Sequence, residues 1–382
     1  MEPFKNKISA DLVQCLGGHL ERHLPDFQRQ VFEHALLTDL PALELKQRSE
    51  RIADALHEVL PLDLAKRYEV LRKILHPSED GAGIDRGSDA DGIRGWGMMP
   101  LGMIVSRYGL GDFEASFALL KEMTKRATAE FDVRPFLDAD QDTALDILSL
   151  WVADPNKHVR RLVSEGTRPR LPWGMQLKQL IADPSPTLPL LEALKDDPED
   201  YVRRSVANHL NDIAKDHPDL VADLAASWLQ GAGRNRQRLV KHACRSLIKN
   251  GHPEALRAFG LDSPLIDVEG PGIAGQTVRF GSALAFDVVL TSRSAREQTL
   301  LVDYVVHFRK ANGSLSGKVF KWTTVTLRPG EQLRLSRTHA IRPITTRKYY
   351  SGTQAVSLRV NGQDFGYSAF ELQMEEPALL AG

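Results

Sequence analysis

Apolar positions change period once along this chain. Up to about Gly260 they recur every three to four residues, as in Ile52-Leu56-Val59-Leu60, Leu119-Leu120-Met123 and Leu145-Ile147-Leu148-Leu150. That is the spacing of buried helix faces. Breakers divide the run at His76-Pro77-Ser78-Glu79-Asp80-Gly81, Gly109-Leu110-Gly111, His217-Pro218 and Gly231-Ala232-Gly233. After Pro264 the period becomes two. Val278–Phe280, Ala283–Leu290, Leu300–Phe308, Val319–Val325, Gln332–Ser336, Ala355–Val360 and Phe365–Leu372 read as seven strands. Asn312-Gly313, Arg328-Pro329-Gly330 and Asn361-Gly362 supply turn chemistry between them. Seven short strands over roughly a hundred residues predict an immunoglobulin-like sandwich, and Lys348-Tyr349-Tyr350-Ser351-Gly352 fits its corner tyrosine. The expected domains are therefore 1–260 and 265–375, with a linker near Gly260 to Pro271.

Within the helical half, Asp154-Pro155-Asn156-Lys157-His158-Val159-Arg160-Arg161 recurs 43 residues on as Asp197-Pro198-Glu199-Asp200-Tyr201-Val202-Arg203-Arg204. The period is that of HEAT-type helical repeats. Asp-Pro can open each helix, the aspartate as cap and the proline in the first turn. A degenerate third copy runs from Arg238-Leu239-Val240 to Asn250-Gly251-His252-Pro253, at an offset of 35 from Arg203. The expected fold is thus a mainly α, HEAT-like repeat solenoid followed by an all-β immunoglobulin-like sandwich. Stacked repeats with arginines on one helix each build a partly cationic concave wall, which suits a long anionic polymer such as nucleic acid. A protein-binding scaffold with solvated arginines is the competing reading. Neighbouring helix residues point about 100° apart. Arg160 and Arg161 therefore cannot both face phosphate, nor can Arg203 and Arg204, and one of each pair is expected in structural salt bridges.

Charge refines this picture. The 382 residues carry a formal net charge of −1, so any nucleic-acid surface must be local. Residues 261–382 are net +3 and residues 1–260 net −4, which places the positive excess in the tail. Two basic connections, 310–318 and 342–348, are expected at one end of the sandwich. Lys310, Lys318, Arg347 and Lys348 are therefore candidates for contact with a phosphate backbone or minor groove, ordinary polar loops being the alternative. Cys15 and Cys244 are the only cysteines, which argues against a disulfide framework and for a reducing cytosol. No Cys/His cluster suggests zinc, and no metal or other cofactor is expected. The first residues lack a signal-type apolar core and no segment is long enough to span a bilayer. A soluble cytoplasmic protein, in cytosol or nucleoid, is expected, and nothing requires more than a monomer.

Three motifs beside the repeats hold acids: Ala129-Glu130-Phe131-Asp132-Val133-Arg134, Ser164-Glu165-Gly166-Thr167-Arg168, and Asn208-His209-Leu210-Asn211-Asp212-Ile213. Arg161 and Glu165 are four apart on one helix, so an ion pair is their default role. Asn208 and Asp212 are likewise four apart. With the repeats in register their helices lie side by side, and the acids can converge in one groove.

The run Val159-Arg160-Arg161-Leu162-Val163-Ser164-Glu165-Gly166-Thr167-Arg168-Pro169-Arg170-Leu171-Pro172-Trp173 resembles the signature of the AlkC-type DNA alkylation-repair glycosylases, within the HEAT-like AlkC/AlkD superfamily. Val202-Arg203-Arg204-Ser205-Val206-Ala207-Asn208-His209-Leu210-Asn211-Asp212-Ile213-Ala214-Lys215 resembles its companion motif. A HEAT-like body with an immunoglobulin-like tail is similar to the AlkC branch; the AlkD branch lacks the tail. The resemblance spans nearly the whole chain. It implies excision of cationic alkylated bases, chiefly 3-methyladenine and 3-methylcytosine, from double-stranded DNA without base flipping. It implies that Glu165, Asp212 and Glu130 are the active-site acids and Trp173 the groove tryptophan, with core packing as the plainer role for Trp173. Arg160, Arg161, Arg168, Arg203 and Arg204 are the candidate DNA-binding arginines.

These residue types suit that chemistry. A base alkylated on a ring nitrogen already carries positive charge and leaves without protonation. What needs stabilising is an oxocarbenium-like sugar. Carboxylates near the anomeric carbon supply that field and can orient or deprotonate water. No positioned lysine nucleophile is evident, so a monofunctional enzyme leaving an abasic site is expected. A non-catalytic repeat protein binding damaged or distorted DNA is the alternative; a protein scaffold would lack salt-dependent DNA affinity.

Overall fold

Residues 3–79 and 86–374 are described by this computed structural model. Asp80 and Gly81 of the first breaker, and the far limit of the expected sandwich at residue 375, lie outside them. Among the described residues sixteen α-helices precede eight strands. The first eight helices are α1 (Ala10–Glu21), α2 (Arg29–Asp39), α3 (Leu45–Val59), α4 (Leu64–Lys73), α5 (Met98–Tyr108), α6 (Phe113–Thr124), α7 (Arg134–Ala139) and α8 (Gln141–Ser149). Then come α9 (Lys157–Gly166), α10 (Lys178–Ala182), α11 (Leu188–Leu194), α12 (Asp200–Ile213), α13 (Pro218–Leu229), α14 (Arg234–Ala243), α15 (Arg245–Asn250) and α16 (Pro253–Ala258). Aspartates cap several of them: Asp63, Asp112 and Asp140 each accept an N–H from three residues on, at 2.9, 2.9 and 3.1 Å.

The repeated Asp-Pro works differently from that expectation. Asp154 Oδ1 accepts the N–H of Asn156 at 2.8 Å, and Asp197 Oδ1 accepts that of Glu199 at 2.9 Å. Each aspartate closes a tight turn just outside its helix, and Asn156 and Glu199 hold the cap positions. The prolines therefore precede the helices instead of sitting in their first turns. The geometry still recurs between α9 and α12, which pack on each other, and α12 packs on α14 in turn. Val159, Leu162 and Val163 of α9, Val202, Val206 and Leu210 of α12, and Leu239 and Val240 of α14 are buried. Fully burying one such side chain stabilises the fold by about 1.5–3 kcal/mol.

Two compact units result. One comprises α1–α12 together with α14; the other comprises α13, α15, α16 and all the strands. In the second unit Gly251, after α15, and Gly362, in a hairpin, have φ of +78° and +80°. Their backbones meet so closely that a Cβ on Gly251 would fall 2.6 Å from the Cα of Gly362, a joint that only glycine permits. Asn361 beside it donates to the carbonyls of Asp262 and Thr299 at 2.7 and 3.2 Å and accepts the N–H of Leu301 at 2.7 Å.

The strands are β1 (Ile266–Ile273), β2 (Thr277–Arg279), β3 (Ala283–Ser292), β4 (Gln298–Arg309), β5 (Leu315–Leu327), β6 (Gln332–Ala340), β7 (Gly352–Val360) and β8 (Gln363–Gln373). They form an immunoglobulin-like sandwich of sheets β1-β3-β6 and β2-β8-β7-β4-β5, with β2 parallel to β8 and the other pairs antiparallel. Leu284, Phe286, Val288 and Leu290 of β3 pack with Tyr304, Val306, Val356 and Leu358 between the sheets. Each expected strand is present, and β1 is additional. It occupies the stretch expected as linker, where Gly270-Pro271 breaks the alternation and a register shift between Glu269 and Gly272 absorbs the break. Lys318 also differs from expectation: it lies within β5, and the preceding connection is confined to residues 310–314. His307 of β4 pairs with Ala355 of β7, so that connection and the one before β7 do share an end of the sandwich. No described helix is long and apolar enough to cross a membrane.

Candidate active site

Three segments of the first unit bring acids together. Glu130 lies in the turn before α7, Glu165 in the last turn of α9, and Asp212 in the last turn of α12. Their exposures are 9%, 5% and 2%, so each must be compensated where it sits. Arg168, just past α9, does this for two of them: its Nη1 donates to Glu165 Oε1 at 2.6 Å and its Nε to Asp212 Oδ2 at 2.8 Å. Arg161 serves the third, donating from Nη1 to Glu130 Oε2 at 2.6 Å and to Thr128 Oγ1 at 3.0 Å. The Arg161–Glu165 pair foreseen from spacing exists, but at 3.4 Å it is the loosest of the set. Ser205 Oγ donates to Glu165 Oε2 at 2.6 Å, Thr128 Oγ1 to Glu130 Oε2 at 2.7 Å, and Lys215 Nζ to Asp212 Oδ1 at 2.8 Å. The Arg161 guanidinium lies 4.9 Å from the centre of the Tyr201 ring.

Burial works against the charge of both arginines. Glu130 and Glu165 at Arg161, and Asp212 and Glu165 at Arg168, more than offset it, so both guanidiniums are held above the usual arginine value. Arg134, fully buried beneath them, is pushed down to about 10 by burial first and by Arg168 second. Its donors clasp the carbonyls of Gly166 and Arg168, each at 2.8 Å, and of Met175 at 2.6 Å, fixing the loop that carries Trp173. His209 is also fully buried, and burial pushes it down to about 4. The neutral ring donates from Nδ1 to the carbonyl of Ser164 at 2.9 Å and serves as a brace between α9 and α12.

Trp173 is 91% exposed with φ +65°, which excludes core packing. It borders a cavity of about 610 Å³ lined also by Met99, Met103, Phe131, Asp132 and Met175. Asp132 packs against Gly102 of α5, and burial first, then the nearby Glu130, raises its carboxyl to about 7.

The two arginine pairs divide as adjacency requires. Arg160 binds both oxygens of Asp197 at 2.6 and 3.0 Å and the carbonyls of Asp154 and Pro155 at 2.8 and 3.1 Å. Arg203 is buried and bonds the carbonyls of Asp197 and Pro198. Arg161 turns to the acids, and Arg204 is exposed, with Asp200 3.3 Å away. In the sandwich, Lys310, Lys318 and Lys348 are exposed, whereas the Arg347 guanidinium is 3.7 Å from the centre of the Phe308 ring.

Sequence reasoning overlooked Lys215, although it stands one turn from Asp212 in the motif it quoted. It also overlooked Asp132, Arg134, Ser205 and Tyr201, none of which stands out by spacing. The described residues bring one His/Asp/Asp group together as well: His76, Asp89 and Asp91. His76 Nδ1 accepts the N–H of Ser78 at 3.0 Å, so Nε2 carries the proton and points at Asp89, 3.3 Å away. That tautomer gives a zinc ion no lone pair.

Residues 123–247, which hold the whole acid cluster, match the family described as DNA alkylation repair enzyme. Residues 267–374 match the family described as the C-terminal Ig-like domain of the uncharacterised protein YhaZ. The chain is 36% identical over 365 residues to the uncharacterized protein YhaZ of Bacillus subtilis (strain 168), covering 95% of this chain and 97% of that one. Among solved structures, Pseudomonas fluorescens alkylpurine DNA glycosylase AlkC, bound to DNA containing an abasic site analog, matches with a TM-score of 0.82 at 34% identity. The match covers 97% of this chain and 100% of that one. This chain belongs to the AlkC-type DNA alkylation repair enzymes.

Proposed function

We propose that this protein is a monofunctional DNA N-glycosylase that removes cationic alkylated bases, 3-methyladenine and 3-methylcytosine among them, from double-stranded DNA. The observation that supports it most is the Arg168 guanidinium bridging Glu165 and Asp212, with Arg161 joining Glu130 to the same cluster. Arg161, Arg168 and Lys215 each pair with these buried carboxylates in the free protein, and it is the carboxylate oxygens themselves that would stabilise a positive sugar brought against them.

In the reaction the glycosidic bond from C1′ to the base breaks, at N9 of 3-methyladenine or N1 of 3-methylcytosine, and its electron pair leaves with the base, cancelling the positive charge that alkylation at N3 placed there. Positive charge moves to the sugar, where the carboxylates stabilise it in a partly dry site. Water then adds to C1′ and gives its proton to one of the acids, leaving an abasic site. The acids act on sugar, so the base need not leave the stack. Trp173 is free to pack against nucleotides, and Arg204 and the basic end of the sandwich with Lys310, Arg347 and Lys348 offset phosphate charge, while Arg161 is committed to the acids. Arg160 and Arg203 have structural partners. A monomer in the cytoplasm, beside the chromosome, meets these requirements.

One observation favours a second reading, a non-catalytic protein binding damaged DNA: Glu165 and Asp212 are each paired through both oxygens. Release of free base from methylated duplex by wild type, Glu165→Gln and Asp212→Asn separates the two. Release by the wild type, lowered at least about 100-fold in both folded variants, is expected of the glycosylase. DNA binding with no release by the wild type establishes the second reading, and undiminished release by both variants removes these acids from the chemistry.

A further inference from the structure

The two oxygens of Asp212 are held by cations of unlike freedom. Oδ2 belongs to Arg168, whose Nε and Nη2 both lie 2.8 Å from it and whose side chain is only 8% exposed. Arg168 is itself pinned by Glu165, so this contact is part of the buried frame. Oδ1 belongs to Lys215, one turn further along, whose side chain is 48% exposed. Asp216, the acid beside that lysine, is engaged through both oxygens by Arg170 at 2.7 and 2.8 Å. An exposed lysine pair breaks readily, whereas a buried, cross-braced arginine pair does not. The Asp212 carboxylate, 2% exposed as a residue, can thus present Oδ1 to a substrate only when Lys215 moves aside.

DNA supplies a place for it to go. The backbone phosphate of the nucleotide whose sugar approaches Asp212 lies within the reach of a lysine side chain from C1′. We propose that Lys215 is an exchangeable counter-ion, pairing with Asp212 in the free protein and transferring to that phosphate when DNA binds. The transfer hands Asp212 Oδ1 to the anomeric carbon. The same lysine masks a buried acid from an approaching anion and unmasks it on arrival. Lys215 is then a positioning residue that acts through Asp212, and this role rests on the glycosylase reading given above.

The test combines salt-dependent affinity with single-turnover base release from methylated duplex, for wild type, Lys215→Gln and Lys215→Arg. For Lys215→Gln, the slope of log affinity against log salt is expected to become shallower by about 0.9, the signature of one lost phosphate contact. Half-saturation for base release should rise by roughly three- to tenfold, exceeding any change in plateau rate. Lys215→Arg, still a cation of similar reach, should restore both. An unchanged salt slope with a reduced plateau overturns the transfer and makes Lys215 a fixed strut for Asp212. Borohydride trapping of wild type on DNA that is abolished in Lys215→Gln overturns it too, by making Lys215 a nucleophile. A wild type that releases no base overturns the glycosylase reading instead, and the two failures are thereby told apart.

Discussion

Arg160 and Arg203 make the same interaction 43 residues apart: each donates from Nη1 to the carbonyls of the Asp-Pro that opens its own helix. Arg160 then reaches into the next repeat and binds Asp197, whose side chain is 3% exposed. That aspartate belongs to the turn Arg203 clasps. The paired arginines are therefore two devices written side by side: the first clasps the turn before its own helix, and the second faces away from that turn, Arg161 towards the acids and Arg204 towards solvent.

This division can be read by mutation. Arg160→Ala strands Asp197 as a buried, unpaired charge and should cost about 3 kcal/mol of stability in urea unfolding, with the salt slope of DNA binding unchanged. Arg204→Ala should do the reverse, staying within about 0.5 kcal/mol in stability while the slope becomes shallower by about 0.9. Equal effects from the two would refute the assignment.

Arg168 should tolerate no replacement, a lysine included. Its fork reaches Glu165 from Nη1 and Asp212 from Nε, a span that a single ammonium cannot reproduce. Arg168→Ala is expected to lose about 3–5 kcal/mol of stability. Arg168→Lys should fold but release methylated base at least about 10-fold more slowly. Retention of full activity by the lysine variant would show that charge alone, without the bridge, is what the acids need.

Much of this was legible in the chain, and the exceptions have physical causes. The strands from Ala283 to Leu372 announce themselves by alternation in β6 and the first half of β3, and by short apolar runs bounded by turn signals in β4 and β7, which are buried almost continuously. Ile266-Asp267-Val268-Glu269 alternates too, but Gly270-Pro271 follows it, and only the bulge in the ladder shows that pairing resumes at Gly272. Adjacency showed that one arginine of each pair must turn away. It could not say which, because the partner of Arg160 lies 37 residues on and depends on how the repeats stack. Helical spacing gave the Arg161–Glu165 contact but not its rank below Arg161–Glu130, since Glu130 comes from an aperiodic turn. Asp132 left no trace, because its half-buried place against Gly102 depends on how α5 packs beside the turn before α7.

Trp173 offers a clean separation of stability from function. An exposed tryptophan at φ +65° contributes little packing and holds a backbone conformation that glycine adopts freely. Trp173→Gly should leave the melting free energy within about 1 kcal/mol of wild type. If the ring stacks on DNA, duplex affinity should fall roughly tenfold or more. Unaltered affinity would leave the ring without a role in binding.

The dependence of stability on pH has two opposed sources. His209 titrates at about 4 when folded against 6.5 unfolded. Between those values the unfolded chain binds the extra proton, so this group's contribution is lost as pH falls from 6.5 towards 4. Asp132 titrates at about 7 when folded against 3.8 unfolded. There the folded chain binds the extra proton, and stability is lost as pH rises from 3.8 to 7. From pH ~4 to ~6.5 the two slopes largely cancel in the wild type, a balance that hides both groups. Asp132→Asn removes one of them. In chemical denaturation its stability should climb with pH across that window, and relative to wild type it should gain roughly 2–4 kcal/mol between pH ~4 and ~8. A variant whose pH profile parallels the wild type would mean that the Asp132 carboxyl is solvated, and that the cavity beside Trp173 is wet at its acid.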